Sequence, residues 1–150
     1  MEKATAKIKH FCSYQERCHR EVKEKLYGFG LRKEEREEIV SLLIGEGYLN
    51  EERFAVEFAG GKFRIKQWGR VKIRYELKQK AISDYCIKKG LQAIHEEDYA
   101  KTLEQLFEKK LKTLQKEKNI FLKKSKVQAF LLQRGFEPSL VQALIQKIGE

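Results

Sequence analysis

One spacing pattern occurs three times in this 150-residue chain and constrains its fold more than any other feature. Each copy has a leucine, then a small residue four positions later, followed directly by an apolar residue. Two more apolar residues come nine and twelve positions after that one. The copies are Leu26-Gly30-Leu31-Val40-Leu43, Leu77-Ala81-Ile82-Leu91-Ile94 and Leu131-Gly135-Phe136-Ile145-Ile148. Identical offsets predict three similar units, each with a tight turn at the small residue.

The composition favours helices. The chain has one proline and 36% charged residues, with many Leu, Lys and Glu residues, and these are the residues that helices tolerate best. An apolar content of 41%, with nine Phe and six Tyr, is enough for a packed core. We therefore predict an all-α fold of three tandem three-helix repeats at residues 1–49, 50–94 and 95–150. Such repeats are expected to stack into an elongated, curved, right-handed array.

Apolar periodicity and capping residues predict the individual helices. The predicted ranges are residues 4–16, 19–27, 33–46, 51–65, 70–80, 84–94, 96–117, 126–134 and 138–147. Asn50 and Ser83 are predicted N-caps, Ser125 with Gln128 matches a capping box, and Pro138 suits a first helical turn. In the helix over 51–65, the apolar residues Phe54, Phe58 and Ile65 are predicted to face one way. The Gly60-Gly61 pair there indicates either a kink or the close approach of another backbone.

Residues 62–80 carry eight basic side chains, one acid and the only tryptophan of the chain. On a helix over 70–80, three cations stand one turn apart and form a basic column, Arg70, Arg74 and Lys78. No acid of the same helix is in register with this column, whereas Glu76 can pair with Lys72 and Lys80. The apolar side of the helix is predicted to comprise Val71, Ile73, Tyr75 and Leu77. A solvated helix face is the simpler interpretation, but unpaired arginines favour contact with a polyanion or an acidic protein surface.

The predicted partner-binding or DNA-binding residues are Lys62, Arg64, Lys66, Trp68, Arg70, Lys72, Arg74 and Lys78. Trp68 has two interpretations that the sequence leaves open. It is either an anchor for a partner, since tryptophan is enriched at the centres of interfaces, or a core residue between the first two helices of the second unit. The formal net charge of +10 predicts attraction to a negatively charged partner but does not identify it.

Other classes of function lack the residues they need. The Gly60-Gly61-Lys62 run is no phosphate-binding loop, because Val56 and Phe63 stand where that motif requires Gly and Ser or Thr. His10, Cys12, Cys18 and His19 lack zinc-ligand spacing, and no nucleophile with a base is evident. We therefore expect a binding protein that is no enzyme and has neither cofactor nor metal. Without a signal peptide or an apolar span, it is expected to be cytoplasmic, with reduced cysteines and no membrane association.

Two stretches of the chain resemble the bacterial RecX regulatory family. They are CSYQERCHREVKEKLYGFGL at residues 12–31 and GYLNEERFAVEFAGGKFRIKQWGRVKIRYELKQKAI at residues 47–82. Cys18 stands where many members have Ser, a better N-cap, so the start of the second helix stays open. The Gly60-Gly61 pair replaces an expected Arg-Gly, which removes one cation from the basic surface.

The resemblance implies a modulator of the RecA recombinase in DNA repair and the SOS response. Members of the family are tandem three-helix repeats that lie in the groove of the RecA filament on DNA, and they restrain its growth, ATP turnover and strand exchange. We expect a monomer that binds the RecA filament and, through its basic surface, single- or double-stranded DNA. The alternative is a basic DNA-binding protein that acts without RecA.

Overall fold

The computed structural model describes residues 1–149, and all regular structure within that range is helical. The all-α prediction is therefore confirmed. The elements in chain order are α1 (Glu2–Tyr14), α2 (His19–Tyr27), α3 (Lys33–Gly45), α4 (Glu51–Gly61), a π-helix (Lys62–Lys66), α5 (Arg70–Gln79), α6 (Asp84–Gln92), α7 (Glu96–Thr113), α8 (Ile120–Gln133) and α9 (Pro138–Ile145). None of these helices combines the length and the hydropathy that crossing a membrane requires.

The helices group into two compact units that do not follow the order of the chain. Unit 1 comprises Met1–Phe58 and Leu77–Gly90, and unit 2 comprises Ala59–Glu76 and the chain from Leu91 onward. Helices α4, α5 and α6 therefore contribute residues to both units. The predicted repeat boundaries after residues 49 and 94, and the curvature and hand of the array, stay predictions.

Helices α1, α2 and α3 of unit 1 bury one apolar face each in a shared core. Ile8, Val22 and Leu26 are fully buried there, as are Ile39 and Leu43. Spacing of four residues on α2 and on α3 places the paired side chains on the same face. Each such side chain contributes about 1.5–3 kcal/mol when it leaves water, so this core stabilises the packing of α1, α2 and α3.

The small residue of the recurring pattern adopts a left-handed backbone in every copy. The φ angles are +74° at Gly30, +62° at Ala81 and +95° at Gly135. The leucine four residues earlier in each copy is fully buried. The predicted tight turn is therefore confirmed. Ala81 pays a steric cost of roughly 1–2 kcal/mol for this conformation because it has a β-carbon.

The predicted N-caps of unit 1 are confirmed. The side-chain oxygen of Asn50 accepts a hydrogen bond from the N–H of Arg53 at 2.8 Å, and that of Ser83 accepts one from the N–H of Cys86 at 3.2 Å. Helix α2 begins directly after Cys18, whose N–H donates to the Glu21 carboxylate at 3.2 Å. Glu21 therefore caps the N-terminus of α2, and this contact fixes the helix start that the sequence left open.

The predicted helix limits in the last third of the chain are partly wrong. Helix α8 begins at Ile120 and not at residue 126, because Asn119 caps it by accepting from the N–H of Leu122 at 3.2 Å. The Ser125-Gln128 pattern therefore lies inside α8. Helix α7 ends at Thr113, earlier than the predicted residue 117. Pro138 occupies the first turn of α9 as predicted.

Close backbone packing occurs at Gly90 and not at the Gly60-Gly61 pair. A β-carbon on Gly90 would lie 2.7 Å from the carbonyl oxygen of Ala55 in α4. A β-carbon on Gly61 would meet no atom within 4 Å, and one on Gly60 would meet only the Arg64 side chain. The kink alternative applies to the Gly60-Gly61 pair, because the α-helix ends there and changes to a π-helix.

These two environments predict opposite effects of the same substitution. Gly61→Ala should raise the free energy of unfolding by up to about 1 kcal/mol, since alanine is the better helix former. Gly90→Ala should lower it by about 1–3 kcal/mol, because the added methyl overlaps α4. Urea unfolding followed by circular dichroism measures both. Stabilisation by both substitutions would contradict the close approach of α4 and α6 within unit 1.

Candidate functional site

The segment that the sequence marks as partner-binding contains the π-helix. A π-helix has more residues per turn than an α-helix, so it rotates the following side chains. Phe63 is consequently buried, with 7% exposure, whereas Ile65 is 80% exposed. The prediction that Ile65 shares the buried face of Phe54 is wrong, because it assumed an unbroken α-helical period.

The chain turns sharply after the π-helix, in a segment that we call the Trp68 loop (residues 67–69). Gln67 adopts a left-handed backbone with φ +56°. Its N–H donates to the carbonyl of Phe63 at 3.0 Å, and the N–H of Trp68 donates to the carbonyl of Lys62 at 3.3 Å. These bonds end the helix and place Trp68 immediately before the N-terminus of α5.

Backbone hydrogen bonds fasten the Trp68 loop to the turn between α8 and α9. The N–H of Gly69 donates to the carbonyl of Arg134 at 2.8 Å, and the N–H of Val71 donates to that of Gly135 at 2.9 Å. Free N–H groups at the start of α5 thereby gain partners that their own helix cannot supply. A β-carbon on Gly69 would lie 2.3 Å from the Gly135 oxygen. Only glycine allows this approach.

Arg70, the first residue of α5, binds two carboxylates from other helices of unit 2. One guanidinium nitrogen lies 2.7 Å from Glu137, and the other lies 2.7 Å from Glu96. The N–H of Arg70 donates to the hydroxyl of Tyr99 at 2.9 Å, and that hydroxyl donates to Glu137. We call these four residues the Arg70 cluster. They link the starts of α5, α7 and α9.

Aromatic packing supports the Arg70 cluster from within unit 2. The Tyr99 ring is 1% exposed and lies between Phe63, at 5.7 Å between ring centroids, and Phe136, at 5.3 Å. The guanidinium carbon of Arg70 is 3.7 Å from the centroid of the Tyr99 ring. Cation–π attraction at this distance adds to the ion pairs, so Arg70 is held from two directions.

Electrostatic interactions within the Arg70 cluster keep the Arg70 guanidinium and the Tyr99 phenol protonated. Burial works against the charge of Arg70, but the hydrogen bonds to Glu96 and Glu137 outweigh it and raise the pKa of the guanidinium. Burial raises the pKa of the Tyr99 phenol, and its hydrogen bond to Glu137 raises it further. At neutral pH, Arg70 is a cation and Tyr99 is a neutral hydrogen-bond donor.

Arg70 therefore differs from the sequence-based expectation of an unpaired cation in the basic column. The expectation considered only acids on the same helix, whereas Glu96 and Glu137 come from α7 and α9. The Arg70 side chain is 18% exposed, and both of its terminal nitrogens already have carboxylate partners. Its direct contact with a partner, predicted from sequence, stays a prediction.

Trp68 itself is half-buried, and two lysines stand close to its ring. The ammonium nitrogens of Lys62 and Lys72 are 5.1 Å and 4.6 Å from the ring centroid. This geometry combines the two interpretations left open by the sequence, since part of the indole packs within unit 2 and part remains accessible. Its role as a partner anchor stays a prediction. Lys72 associates with the indole and forms no ion pair with Glu76 in the part of the chain that is described.

The remaining predicted cations extend into solvent. The four exposed ones are Arg64, Lys66, Arg74 and Lys78. Within residues 1–149, none of these four forms an ion pair with a carboxylate. Arg74 and Lys78 are one turn apart on α5, as predicted from the sequence. Cations without internal partners are free to neutralise charges on another molecule.

Exposed apolar side chains accompany these cations. Ile65 is 80% exposed, Tyr75 60% and Val71 48%. Of the predicted apolar side of α5, Ile73 and Leu77 are buried, whereas Val71 and Tyr75 are exposed. The segment 62–78 therefore offers both charge and apolar area, a combination typical of protein-binding surfaces.

Two models of known protein families match the chain, and one of the matches includes segment 62–78. Residues 50–91 match the model of the second three-helix domain of RecX, and residues 96–145 match that of the third. The chain belongs to the RecX family. The second-domain match contains the π-helix, the Trp68 loop and all of α5.

Similar RecX proteins occur in several bacteria. The regulatory protein RecX of Bacillus cytotoxicus is 27% identical over the whole chain and 55% of its own length. That of Oceanobacillus iheyensis is 27% identical over 149 residues, which cover 99% of this chain and 54% of the relative. The chain thus spans about half the length of the curated relatives it matches.

Solved RecX structures have the same fold. The crystal structure of RecX from Lactobacillus salivarius matches with a TM-score of 0.87 at 23% identity, over 98% of this chain and 95% of that one. A second crystal structure of regulatory protein RecX matches with a TM-score of 0.84 at 23% identity, over 97% and 71% of the two chains. The family match, the fold and the all-helical prediction agree.

Three members of the Arg70 cluster were missed in the sequence analysis of this RecX chain. From the sequence, no role was assigned to Glu96, Tyr99 or Glu137. One signal was present, because Arg70 occupies the first position of a helix, where the helix dipole disfavours a cation. An arginine in that position predicts carboxylates supplied by another element, but the sequence does not identify them.

The two acids of the Arg70 cluster should differ in their contribution to stability. Glu137→Gln should lower the free energy of unfolding by about 2 kcal/mol, since it weakens a shielded charge-assisted pair and the bond to Tyr99. The Glu96 side chain is 83% exposed, whereas that of Glu137 is 26% exposed. Glu96→Gln should therefore lower the free energy of unfolding by less than about 1 kcal/mol, because exposed ion pairs contribute little. Urea unfolding measures both. Equal losses would contradict the central place of Glu137.

Proposed function

We propose that this RecX-family protein binds the RecA filament on DNA and restrains its ATPase, growth and strand exchange. The observation that carries the proposal is the Trp68 surface. We define it as the partly accessible Trp68 with the exposed cations Arg64 and Lys66 of the π-helix and Arg74 of α5. Backbone hydrogen bonds join the Trp68 loop to the α8–α9 turn of unit 2. The family relation supports the regulatory role, while RecA as the partner is an inference from the resemblance described above.

The mixed character of the Trp68 surface favours a protein-containing partner. Phosphate contacts require cations and base stacking requires rings, so neither uses an exposed aliphatic side chain such as Ile65. Ile65 and Tyr75 would lose water against an apolar surface, and Trp68 would supply a large rigid anchor. A filament of protein on DNA offers apolar contacts and negative charge together. The same surface would therefore bind the filament more tightly than naked DNA.

Binding to a preformed surface requires the loop to be ordered beforehand. The hydrogen bonds from Gly69 and Val71 to the α8–α9 turn, and the ion pairs of Arg70, provide that order. A loop already held in its binding conformation loses less entropy when it meets its partner. In this proposal Arg70 positions the surface, and the exposed cations make the contacts.

A stand-alone DNA-binding protein is the second candidate. The net charge of +10 favours it, because a basic chain is attracted to any nucleic acid. The two candidates differ in one respect: the stand-alone binder needs no RecA. We further propose that the protein acts by binding and not by catalysis, as a cytoplasmic monomer.

Replacing the Trp68-surface cations tests the proposal. The triple variant Arg64→Ala, Lys66→Ala, Arg74→Ala should weaken co-sedimentation with RecA filaments on single-stranded DNA about ten-fold or more. It should also relieve inhibition of the RecA ATPase. A matched control removes three exposed lysines from α7 and the segment after it, Lys109→Ala, Lys112→Ala and Lys116→Ala. The control carries the same net charge and should inhibit like the original protein.

The outcome separates the two candidates when the assay is repeated with naked DNA at several salt concentrations. Filament binding that is stronger than DNA binding, and sensitive only to the Trp68-surface variant, supports the RecA proposal. Equal binding with and without RecA favours the stand-alone candidate. Equal losses in both variants would show that net charge matters and the Trp68 surface does not.

A further inference from the structure

A second surface with cationic and aromatic character lies in unit 1, in a groove between α1 and α2. Its volume is about 640 Å³, inside the range of roughly 300–1,000 Å³ found for ligand-binding clefts. The lining includes the rings of Phe11, Tyr14 and Phe29, the imidazole of His10, and the cations Lys7, Arg17 and Lys25. No lining residue of this α1–α2 groove is acidic.

The rings of the groove have different roles. Phe11 and Phe29 are half-buried and pack against the core of unit 1, so they form the floor. Tyr14, the last residue of α1, is 78% exposed. Its ring is not needed to cover the core and is free to stack on a flat ligand.

The cations of the groove are likewise of two kinds. Arg17 is fixed: its guanidinium carbon lies 3.8 Å from the centroid of Phe11, and it donates to the Phe11 carbonyl at 3.0 Å and pairs with Glu21 at 3.8 Å. Lys7 and Lys25 are exposed and stand 5.9 Å and 5.5 Å from the centroids of Phe29 and Phe11. Neither lysine forms an ion pair with a carboxylate in the described chain. Their ammonium groups can therefore contact phosphate.

A neighbouring groove between α2 and α3 provides a contrast. It has the same volume of about 640 Å³ and also contains an exposed tyrosine, Tyr27, with 72% exposure. Its lining, however, includes Glu24 and Glu37 beside its cations. Carboxylates in the wall would repel a polyanion. Of these two grooves, the α1–α2 groove is the one whose lining carries a single sign of charge.

We propose that the α1–α2 groove binds single-stranded DNA, with a base stacked on Tyr14 and phosphates held by Lys7 and Lys25. Alternating rings and cations match the alternating bases and phosphates of a single strand, whereas a duplex keeps its bases stacked inside. This site lies outside the Trp68 surface and needs no RecA. The choice of DNA over RNA rests on the proposed function.

Anisotropy of a short fluorescein-labelled oligothymidylate, measured without RecA, tests the groove. The full chain with Arg64, Lys66 and Arg74 changed to Ala serves as the background, so that the Trp68 surface contributes little. Tyr14→Ala should weaken binding at least about five-fold, as the loss of one stacked base does. Tyr14→Phe keeps the ring and should bind as the background does. Tyr27→Ala removes an equally exposed tyrosine from the acidic groove and should have no effect.

The salt dependence of DNA binding tests the role of Lys7 and Lys25 separately from that of Tyr14. Lys7→Ala with Lys25→Ala should reduce the slope of log affinity against log salt by about 1.4, since each phosphate contact on a single strand contributes about 0.7. Tyr14→Ala should weaken binding without changing that slope. Circular dichroism of each variant checks that its helices are retained.

Several results would overturn the inference. These are an unchanged affinity in Tyr14→Ala, an equal loss in Tyr27→Ala, or a duplex or oligouridylate bound as tightly as the oligothymidylate. Displacement of the DNA by polyglutamate at equal charge concentration would assign the groove to an acidic protein segment. Because RecA is absent from this assay, a negative result here does not contradict the proposed binding to RecA filaments. A negative result in the RecA co-sedimentation assay likewise does not contradict DNA binding in the α1–α2 groove.

Discussion

The arrangement of unit 2 around Trp68 depends on the ion pair between Arg70 and Glu137. An arginine at the first position of a helix is disfavoured by the helix dipole and loses hydration when it is partly buried. The Glu137 carboxylate offsets both effects by accepting a hydrogen bond from the Arg70 guanidinium. It also accepts a hydrogen bond from the Tyr99 hydroxyl, and that hydroxyl accepts one from the N–H of Arg70, the first residue of α5. The starts of three helices are thereby joined through one carboxylate. The Trp68 loop directly precedes this junction and takes its conformation from it.

This interaction separates the basic residues of segment 62–80 into two classes. Arg70 is used inside the molecule, whereas Arg64, Lys66 and Arg74 are exposed without carboxylate partners in the part of the chain that is described. Counting charges along the sequence treats all of them alike. For a RecX-family regulator, the distinction means that the loss of Arg70 and the loss of an exposed cation should impair binding for different reasons. The first disorders the surface, and the second removes a contact from an ordered one.

Features with local causes could be predicted from the sequence. The left-handed turns at Gly30, Ala81 and Gly135 follow from a spacing pattern, and the caps at Asn50 and Ser83 depend on neighbours within three residues. Two other features could not be predicted from the sequence. The exposure of Ile65 depends on a π-helix that shifts the helical period, and the partners of Arg70 come from 26 and 67 residues away. The sequence thus marked segment 62–78 as a candidate site, which stays a prediction, but it did not reveal the carboxylate partners of Arg70.

Fluorescence of Trp68, the only tryptophan of the chain, tests most directly whether the Arg70 cluster orders the loop. The measurement is acrylamide quenching of Trp68 in Arg70→Met, with Arg20→Met on α2 as the control and circular dichroism as a check on helicity. Our account predicts that quenching in Arg70→Met rises toward the value of the urea-unfolded chain while helicity is retained, and that Arg20→Met behaves like the original protein. Unchanged quenching in Arg70→Met would contradict the account, because the loop would then keep its conformation without the cluster.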